Sequence, residues 1–374
     1  MVIAVNTRFL FSEYLEGYGY FIHEILLRIT RAHPEHQFIF IFDRPYDSRF
    51  IYSQNITPVV AGPAARHPLL WKWWYDIKIP AVLKKYKADI FVSTDGFCSL
   101  NTKVPQCLVV HDLAFIHFPG HISKSRALYY NRYTPRFLKK ANVIATVSEF
   151  SKKDILSHYK LPAEKIEIVP NATREIFHPI DYLGKQEIKE KYTEGTEFFV
   201  YTGSIHPRKN LHNLLKAFSV FKKKQKSNMK LLLVGRLAWK YSAFTESLKN
   251  YKYRDDVVMT GYLPDEELAR IIASAYAMVY PSFWEGFGMP VLEAMRCETP
   301  VVTSSGTAMV EIAGDAALFA DPHNYNDIAD NMILLYKDEN LRSKLVEKGK
   351  KQSEHYSWDA SADSFWKCIE KTVS

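Results

Sequence analysis

The stretch Tyr280-Pro-Ser-Phe-Trp-Glu-Gly-Phe-Gly-Met-Pro-Val-Leu-Glu293 joins an apolar run to an amphipathic segment through a turn that contains two glycines. The run Ala277–Tyr280 has the length and composition of a buried strand, and Pro290 stands where the first turn of a helix should begin. A strand that passes through a tight turn into a helix is part of a βαβ unit, from which parallel sheets are built. This stretch therefore predicts an α/β fold.

The same alternation of short apolar runs and amphipathic segments extends along the chain in both directions. Most of the runs are continuous, as expected of parallel strands covered on both faces. The predicted strands are Val2–Val5, Phe38–Phe42, Ile90–Ser93, Leu108–Val110, Val143–Val147, Ile166–Val169, Phe198–Tyr201, Leu231–Val234, Val257–Met259, Ala277–Tyr280, Val301–Val302 and Leu318–Phe319. The helical patterns between them include Phe21–Ala32, Leu211–Lys224, Asp265–Ala275 and Asn326–Tyr336. With right-handed crossovers, the alternation predicts doubly wound sheets.

The alternation is interrupted once, around Pro170–Thr196, where prolines, a glycine and a charged stretch separate two similar series. The 374 residues are enough for two domains of about 150–200 residues each. We predict an N-terminal domain over 1–172, a linker over 173–196 and a C-terminal domain over 197–356. The tail 357–374 is expected to be a helix that packs back on the first domain. Two such Rossmann-like domains are expected to face each other across a central cleft, with ligands at the carboxyl ends of the strands.

The composition is that of a globular protein in an aqueous compartment. No apolar stretch approaches the ~20 residues that a membrane-spanning helix needs, and the N-terminal run is interpreted as a first strand rather than a signal peptide. The four cysteines lack the spacing of metal ligands and are expected to be reduced and structural. These features predict a cytoplasmic protein and leave open a peripheral position on the inner face of the cell membrane.

The net charge of +8 predicts an anionic partner, which could be a nucleic acid, a phospholipid, a nucleotide or an acidic glycan. Basic residues cluster at 72–87, 123–153 and 221–230. Because no nucleic-acid-binding motif accompanies these clusters, we do not expect nucleic acid as a partner.

The turn after Tyr280 has the composition of a ligand-binding turn. Gly286 and Gly288 allow the backbone to approach a ligand closely, and the following helix directs its N-terminus at the same turn. Glu285 and Glu293 flank the turn, so their carboxylates could accept hydrogen bonds from sugar and ribose hydroxyls. The simpler alternative is a helix-entry loop with Glu285 exposed to solvent.

A second turn, Tyr201-Thr-Gly-Ser-Ile-His-Pro-Arg-Lys-Asn210, follows the first strand of the C-terminal domain. Arg208 and Lys209 in such a turn could neutralise a diphosphate, with the arginine supplying a two-pronged fork. Gly203 permits close approach of the backbone. A solvated basic turn is the alternative.

Two further segments follow strands of the N-terminal domain. His111 and Asp112 come after Leu108–Val110, where the imidazole could contact a sugar hydroxyl or an acceptor, although a lone histidine there is often a structural residue. Gly17-Tyr18-Gly19 is interpreted as a flexible loop that faces phosphate or substrate. It fails as a dinucleotide-binding fingerprint because the third glycine is missing, which argues against a nicotinamide oxidoreductase.

The segment Trp71-Lys-Trp-Trp-Tyr75 and the lysines up to Lys87 mix aromatic and basic residues with helical spacing. This pattern suits contact with an anionic lipid surface. A core-packed aromatic helix with a solvated lysine end fits equally well, and the sequence leaves both interpretations open.

Taken together, these segments resemble the retaining glycosyltransferases of family 4, which have the GT-B fold. The resemblance extends over nearly the whole chain. Its most specific part is the family's E-x7-E signature, met by Glu285 and Glu293, and the Pro-Arg-Lys-Asn turn is similar to the family's diphosphate-binding turn. The segments His111-Asp-Leu, Ser148-Glu-Phe-Ser151 and Gly261-Tyr-Leu-Pro264 are also similar to the family pattern.

The resemblance implies that Glu285 contacts the donor sugar, that Glu293 contacts the ribose, and that Arg208 and Lys209 hold the diphosphate. The implied catalytic residues are His111, Glu285, Arg208 and Lys209. The implied donor-binding residues are Gly203, Ser204, Arg208, Lys209, Gly235, Tyr262, Leu263, Glu285, Gly286, Phe287, Gly288, Met289, Pro290 and Glu293. The implied acceptor-side residues are Gly17, Tyr18, Gly19, His111 and Asp112. The family usually has Gly-Arg where this chain has Gly203-Ser204, so Arg208 is expected to supply a missing phosphate contact.

The expected reaction is the metal-independent, retaining transfer of a hexose, with a mannose-like sugar favoured, from a GDP- or UDP-linked donor. The expected acceptor is a glycan or a lipid-linked sugar in the synthesis of cell-surface polysaccharide or lipopolysaccharide. No cofactor is expected besides the donor, and contact with an anionic membrane is left open. The alternatives are a non-catalytic protein that binds sugar nucleotides and an epimerase of the same fold.

Overall fold

The computed structural model describes residues 1–10, 15, 17–236 and 242–374. The chain forms two compact units, which we call unit 1 (Met1–Asn171 with Ser357–Ser374) and unit 2 (Ala172–Tyr356). Each unit has a parallel β-sheet, helices between most successive strands and a hydrophobic core of its own. Among the helices described, none has both the length and the apolar character needed to cross a bilayer.

Unit 1 contains a seven-stranded parallel sheet in the order β3-β2-β1-β4-β5-β6-β7. Its strands are β1 Val2–Asn6, β2 Gln37–Phe42, β3 Ile56–Val60, β4 Ile90–Ser93, β5 Gln106–Val109, β6 Val143–Thr146 and β7 Ile166–Ile168. Its helices are α1 Gly17–Ala32, α2 Pro68–Trp73, α3 Ile79–Tyr86, α4 Ala114–His117, α5 Lys124–Lys140, α6 Glu149–His158 and, from the end of the chain, α15 Trp358–Val373. A π-helical turn, Trp74–Lys78, joins α2 to α3.

Unit 2 contains a six-stranded parallel sheet in the order β10-β9-β8-β11-β12-β13. Its strands are β8 Phe198–Thr202, β9 Lys230–Val234, β10 Val257–Gly261, β11 Ala277–Tyr280, β12 Val301–Ser304 and β13 Ala317–Ala320. Its helices are α7 Tyr182–Thr193, α8 Leu211–Gln225, α9 Ser242–Lys249, α10 Asp265–Ser274, α11 Met289–Arg296, α12 Ala308–Ala313, α13 Tyr325–Lys337 and α14 Glu339–Ser353.

The predicted fold class is confirmed, since both sheets are parallel and have the strand order of a doubly wound fold. In each unit the order reverses beside the first strand, between β1 and β4 in unit 1 and between β8 and β11 in unit 2. Ligands of such sheets bind at the carboxyl ends of the strands next to this reversal. The turns that follow β8 and β11 are therefore the expected position of a ligand-binding site in unit 2.

One strand, β3, is missing from the sequence prediction. It lies at the edge of the sheet, pairs with β2 alone among the described strands, and contains Pro58. Proline cannot donate a hydrogen bond to a second neighbouring strand, so it is tolerated at an edge and weakens the strand signal in the sequence.

The stretch 173–196, predicted as a linker, contains helix α7. Its buried Ile188 belongs to the core of unit 2, and α7 packs against α10. The charges that suggested a linker form ion pairs with α10, with 2.6 Å between Lys191 Nζ and Glu267 Oε1 and 2.6 Å between Arg270 Nη2 and Glu187 Oε2. The charged stretch is thus one face of a packed helix.

Candidate active site

Glu285 is the centre of a buried polar cluster at the carboxyl end of β11. Its Oε1 accepts hydrogen bonds from Lys209 Nζ (2.6 Å), Ser282 Oγ (2.6 Å) and the Tyr280 hydroxyl (3.1 Å). Its Oε2 lies 3.4 Å from Arg208 Nη1. Only 7% of Glu285 is exposed, so the interpretation of a solvent-facing glutamate does not fit this structure.

The turn after β8 supplies both cations of this cluster. His206 caps the short helical turn Pro207–Lys209 by accepting a hydrogen bond from Arg208 N at Nδ1 (3.2 Å). Asn210 follows in a left-handed conformation, with φ of 63°, and its Nδ2 donates to Pro281 O (2.9 Å) and Pro322 O (2.6 Å). Because Asn tolerates this conformation better than most residues, its place in the Pro-Arg-Lys-Asn sequence has a structural reason.

The turn is also tied directly to the segment that follows β11. Arg208 Nη1 donates to Trp284 O (2.6 Å), and Phe283 N donates to Arg208 O (2.9 Å). Arg208 and Lys209 are therefore held against Glu285 by the backbones of both segments. A solvated basic turn, the alternative considered from the sequence, does not describe these residues.

The charges of the cluster fix the ionisation of Glu285. Burial would raise the pKa of Glu285, but the charges of Arg208 and Lys209, together with the hydrogen bonds from Lys209 and Ser282, outweigh burial and lower this pKa to about 2. The carboxylate is therefore ionised at neutral pH, and two cations face one anion. An anionic ligand would balance the remaining positive charge.

Glycines let the strand ends next to the cluster approach one another. Gly203 N donates to Val234 O (2.9 Å), and Gly235 N donates to Gly261 O (2.9 Å). Gly235 has φ of 149°, and a Cβ built there would lie 1.9 Å from Gly203 O. Glycine is the residue that this close approach of Gly203 and Gly235, directly after β8 and β9, allows.

The helix after the Glu285 segment begins as predicted. Gly288 stands at the N-cap of α11 with φ of 100°, and a Cβ there would lie 2.7 Å from Met309 Cγ. Met289 and Pro290 form the first turn of α11, while Gly286 and the side chain of Phe287 are buried. The amides at this helix start are therefore next to the Glu285 cluster in sequence and in the fold.

Glu293, the second glutamate of the signature, occupies a different environment. Its side chain is 10% exposed, and its Oε1 lies 4.0 Å from Nη2 of Arg174. Burial raises the pKa of Glu293 to about 7, with Arg174 opposing this rise and Asp265 adding to it. Arg174 and Asp265 were not predicted from the sequence.

The remaining predicted donor residues lie at the neighbouring strand ends of unit 2. Ser204 is half-buried, and its carbonyl accepts a hydrogen bond from the Tyr201 hydroxyl (3.1 Å). After β10, Tyr262 is 54% exposed and Leu263 packs against the core. The donor-binding residues predicted from the sequence thus gather along one edge of one sheet.

The predicted acceptor-side residues lie in unit 1. His111 follows β5, and its ring packs against the rings of Tyr18 (4.3 Å between centroids) and Phe21 (5.0 Å). Its Nε2 is buried and has no hydrogen-bond partner within the described ranges. Burial lowers the pKa of His111 to about 3, against a hydrogen bond to the Thr94 backbone, so the imidazole is neutral at pH 7. Asp112 Oδ1 accepts from Ala114 N (2.9 Å) and so stabilises the start of α4.

The loop predicted over Gly17-Tyr18-Gly19 is wrong, because these residues form the first turn of α1. Gly19 is buried, and a Cβ there would lie 3.0 Å from Phe9 O and 2.9 Å from Leu15 Cδ2. The glycine serves close packing rather than flexibility. Tyr18 is 43% exposed at this helix start.

The aromatic segment of unit 1 belongs to the core. Trp71, Trp74 and Tyr75 are 6%, 0% and 1% exposed, and the indole nitrogens of the two tryptophans donate to Ala65 O and Ala61 O, both at 2.7 Å. These rings are not available to a membrane surface. Of the two interpretations left open, the structure supports the core-packed helix.

A buried pair at the reversal of the unit 1 sheet was also missed. Arg8 follows β1 and pairs with Asp95 after β4, while the Tyr75 hydroxyl donates to Asp95 Oδ1 (2.5 Å). Burial lowers the pKa of Arg8, but the charge and hydrogen bond of Asp95, together with Tyr75 and Asp43, raise it above its ordinary value. The Asn6-Thr-Arg8 sequence at the end of the first strand was the signal that the sequence offered.

Groups with the spacing of metal ligands occur in unit 1 within the described residues, and not at the Glu285 cluster. They are His33 with Glu35 and His36, and His117 with Asp154 and His158. All four cysteines are buried and free of disulfide bonds.

Two family models match the chain, one to each unit for the most part. The model described as Glycosyltransferase Family 4 matches residues 16–174, and the model described as Glycosyl transferases group 1 matches residues 184–352. Among solved structures, a sucrose-phosphate synthase from Thermosynechococcus elongatus is similar with a TM-score of 0.80 and 18% identity, over 99% of this chain and 98% of that chain.

Among curated proteins, an O-antigen chain mannosyltransferase B of Escherichia coli is 31% identical over 250 residues, 67% of this chain and 66% of its own length. An O-antigen chain mannosyltransferase RfbU of Salmonella typhimurium is 28% identical over 275 residues, 72% of this chain and 71% of its own length. The match to a serotype-specific mannosyltransferase of Escherichia coli spans 29% of that protein. The chain thus covers less than two thirds of the length of these first relatives from Escherichia coli.

Proposed function

The chain belongs to the family 4, group 1 glycosyltransferases, and from this membership we propose that it transfers a hexose from a nucleoside diphosphate sugar to a glycan or lipid-linked acceptor. The observation that carries the proposal is the Glu285 cluster, in which Arg208 and Lys209 surround one carboxylate at the strand reversal of unit 2. A diphosphate suits the excess of positive charge, and a sugar hydroxyl suits the carboxylate.

The two oxygens of Glu285 are proposed to have different tasks. A carboxylate oxygen has about two lone-pair sites, and Oε1 already accepts from Lys209, Ser282 and Tyr280. Oε2, with Arg208 Nη1 at 3.4 Å, has more capacity to accept a hydrogen bond from the donor sugar. Three donors on Oε1 would thus orient the carboxylate for the ligand.

The proposed chemistry is a metal-independent transfer that retains the anomeric configuration. As the bond between sugar and phosphate breaks, Arg208 and Lys209 would stabilise the charge that develops on the leaving diphosphate. Glu285 is a poor base and nucleophile, because its pKa is about 2. We therefore propose that the acceptor hydroxyl attacks from the face of the leaving phosphate and transfers its proton to a phosphate oxygen. A covalent glycosyl-enzyme trapped on a side chain would contradict this mechanism.

The names of the relatives support a mannose-like sugar and a role in O-antigen or related surface polysaccharide synthesis. We propose a GDP- or UDP-linked donor. Calorimetric titration with GDP-, UDP- and ADP-sugars tests the base and the sugar together. A preference for ADP-sugars, or for a glucosyl over a mannosyl donor, would contradict this assignment.

The proposed function is tested by measuring transfer with Glu285→Gln and Lys209→Ala. Each variant is expected to lower kcat by about 10²–10³-fold, the usual effect of removing one preorganised group that stabilises developing charge. The matched control is Glu187→Gln, which removes a glutamate that pairs with an arginine at the exposed surface of the same unit. Equal activity of Glu285→Gln and wild type would contradict the proposal.

The alternatives predict different outcomes in the same assays. A non-catalytic sugar-nucleotide-binding protein would bind the donor through these residues without turnover of donor in the presence of any acceptor. An epimerase would convert the donor sugar without an acceptor. Product analysis with and without an acceptor glycan separates the three possibilities.

On the acceptor side, we propose that His111 offers a neutral imidazole to a substrate hydroxyl. Its buried Nε2 without a partner in the described part of the chain supports this role, since such an atom gains a hydrogen bond when a ligand binds. With a pKa of about 3, His111 would not serve as a general acid at neutral pH. His111→Phe is expected to raise the KM for the acceptor more than that for the donor.

We also propose peripheral contact with the anionic inner leaflet of the cell membrane, through a surface other than the buried tryptophans. Helix α5 exposes five cations and has no acidic residue, and Leu128 on it is 70% exposed. Leu69 on the neighbouring α2 is 75% exposed. Exposed leucines among cations suit the headgroup region of an anionic bilayer. The exposed cations of α5, which we call its basic face, are Lys124, Arg126, Arg132, Arg136 and Lys139.

Vesicle flotation tests this contact with phosphatidylglycerol-containing and pure phosphatidylcholine vesicles. The double variant Arg132→Glu/Arg136→Glu is expected to lose binding to the anionic vesicles. A charge-matched control, Lys223→Glu/Lys224→Glu, changes exposed lysines on α8 of unit 2. Equal loss in both double variants would mean a general charge effect, and equal binding to both vesicle types would contradict the proposal.

A further inference from the structure

Glu293 is a buried carboxylate that forms a long ion pair with Arg174. It lies in the second turn of α11, with 10% of its side chain exposed. The separation of 4.0 Å between its Oε1 and Arg174 Nη2 is too long for a hydrogen bond but short enough for a strong charge interaction. The pair therefore attracts without using up the acceptor capacity of the carboxylate.

Arg174 is held in place by residues other than Glu293. Its Nη1 and Nη2 donate to Asp265 Oδ2 (2.5 Å) and Oδ1 (3.3 Å), a two-pronged ion pair with the first residue of α10. Its guanidinium also lies over the Phe177 ring, 5.0 Å from the centroid. Because these contacts fix the fork of Arg174, its position does not depend on Glu293.

We propose that Arg174 is a positioning residue for the donor, anchored by Asp265 so that its charge keeps the Glu293 carboxylate oriented to accept hydrogen bonds from the ribose hydroxyls of the nucleotide. The inference rests on the proposed function, in which Glu293 contacts the ribose. It adds a residue from the segment before α7, where this chain reads Asn171-Ala-Thr-Arg174.

The electrostatics of Glu293 agree with this role. Burial raises the pKa of Glu293 to about 7, Arg174 lowers it and Asp265 raises it. Close to neutral pH the carboxylate is thus balanced between its two forms, and Arg174 shifts the balance toward the ionised one. Protonation would turn the Glu293 carboxylate from a hydrogen-bond acceptor into a hydrogen-bond donor. The affinity for the nucleotide should therefore fall as the pH drops through this pKa.

Other titratable groups on the helices and strands around Glu293 interact with residues other than Glu293 or have pKa values that Glu293 itself shifts. On α11 itself, the pKa of the Cys297 thiol is raised by burial and by Glu293. On α14, Lys350 pairs with Glu298 at 3.0 Å, and on α12, Glu311 acts on Tyr356. On β11, the Tyr280 hydroxyl bonds to Glu285. The groups with a resolved effect on Glu293 are Arg174 and Asp265.

The experiment measures the affinity for GDP and UDP by calorimetry, and the KM and kcat for the donor, from about pH 5.5 to about pH 9. Wild type should lose nucleotide affinity below a midpoint near pH 7. Arg174→Met should move this midpoint upward and raise the donor KM at neutral pH by about 10-fold, with a smaller change in kcat. Arg174→Lys should restore most of the affinity, and Glu293→Gln should remove the pH-dependent step.

A double-mutant cycle separates positioning from general damage. Adding Arg174→Met to Glu293→Gln should have little further effect on affinity, because both changes remove the same interaction. The matched control is Arg270→Met, which removes an arginine of α10 whose partner, Glu187, is exposed. Thermal unfolding without ligand checks that each variant folds.

Each outcome bears on one proposal. An unchanged midpoint in Arg174→Met, or additive losses in the double variant, would overturn the role of Arg174 while transfer activity persists. If neither nucleotides nor their sugars bind to the wild-type protein, the proposed function itself fails. Nucleotide affinity that is independent of pH would overturn the inference and leave the function standing.

Discussion

Glu285 shows how single residues set the chemistry of unit 2. A carboxylate beside two cations is ionised over nearly the whole pH range, whereas the buried Glu293 titrates near neutral pH. The two glutamates are eight positions apart in sequence, and their different partners give them opposite pKa shifts. The environment, and not the residue type, determines what each can do.

The first prediction concerns stability in acid. The pKa of Glu285 is lowered from 4.5 to about 2, so its ionised form stabilises the fold above about pH 4.5, and this stabilisation is lost as the pH falls toward 2. The lowering corresponds to about 3 kcal/mol at most. Wild-type unit 2 should therefore lose stability between these pH values more steeply than Glu285→Gln. Urea unfolding at several pH values checks this, and parallel curves for the two proteins would contradict it.

The second prediction concerns the close approach of Gly203 and Gly235 after β8 and β9. Gly235→Ala places a methyl group 1.9 Å from Gly203 O at a φ of 149°, so it should destabilise unit 2 by more than about 3 kcal/mol. Gly306→Ala is the control, because Gly306 also has a positive φ (75°) but no atom within 4 Å of an added Cβ. It should cost about 1 kcal/mol. Thermal unfolding of both variants provides the comparison. Equal losses of stability would show that the contact between Gly235 and Gly203 is not tight.

The site residues that the sequence predicted and those that it did not predict are brought together in different ways. Glu285, Arg208 and Lys209 each follow a strand, so the parallel topology alone predicts that they come together. Arg174 and Asp265 are 91 positions apart and meet through the packing of a segment against a helix. The periodicity of the sequence does not predict a contact between residues so far apart in the chain. The same holds for Arg8 and Asp95 in unit 1.

At the scale of elements, α2 illustrates the limit of a hydrophobic pattern. Aromatic residues at helical spacing predict a helix with one apolar face, but they do not indicate whether protein or lipid covers that face. The structure covers Trp71 and Trp74 with the unit 1 core. In the same way, the charges of 182–193 fit either a linker or a surface helix, and ion pairs with α10 decide for the helix.

The third prediction concerns α15, which packs against α1 and the unit 1 sheet. Phe365 on α15 is 1% exposed, so Phe365→Ala should lower the free energy of unfolding of unit 1 by about 3–5 kcal/mol. Phe218→Ala is the reciprocal control in unit 2, where Phe218 is fully buried. Hydrogen exchange followed by mass spectrometry should show faster exchange in the unit that carries the substitution. Faster exchange in both units for either variant would contradict separate cores.

At the scale of the whole molecule, the proposed donor residues all belong to unit 2 and the proposed acceptor residues all belong to unit 1. Sequence alternation was sufficient to predict two such units and their sheets. The path of the chain at the unit boundary could not be predicted from the sequence, because the region 173–196 combines irregular segments with a helix.

The fourth prediction uses this division. A nucleotide at about 100 times its dissociation constant should stabilise unit 2 by about 2.7 kcal/mol, because it binds the folded unit alone. GDP or UDP should therefore slow hydrogen exchange in residues 172–356 and leave the exchange of 1–171 nearly unchanged. Protection of both units to the same extent would mean that the nucleotide also engages unit 1.

Unit 1 is assembled from two pieces of chain, Met1–Asn171 and Ser357–Ser374, with all of unit 2 between them. On the ribosome, the strands of unit 1 emerge first, yet α15 follows only after another 185 residues of unit 2. At about 5–20 residues per second, that interval is roughly 10–40 s. During it, the surface of α1 that packs against α15, including Phe21 opposite Phe365, stays uncovered. The nascent chain is therefore a candidate client for a chaperone that shields apolar surface until α15 has been synthesised, while unit 2 can complete its fold first.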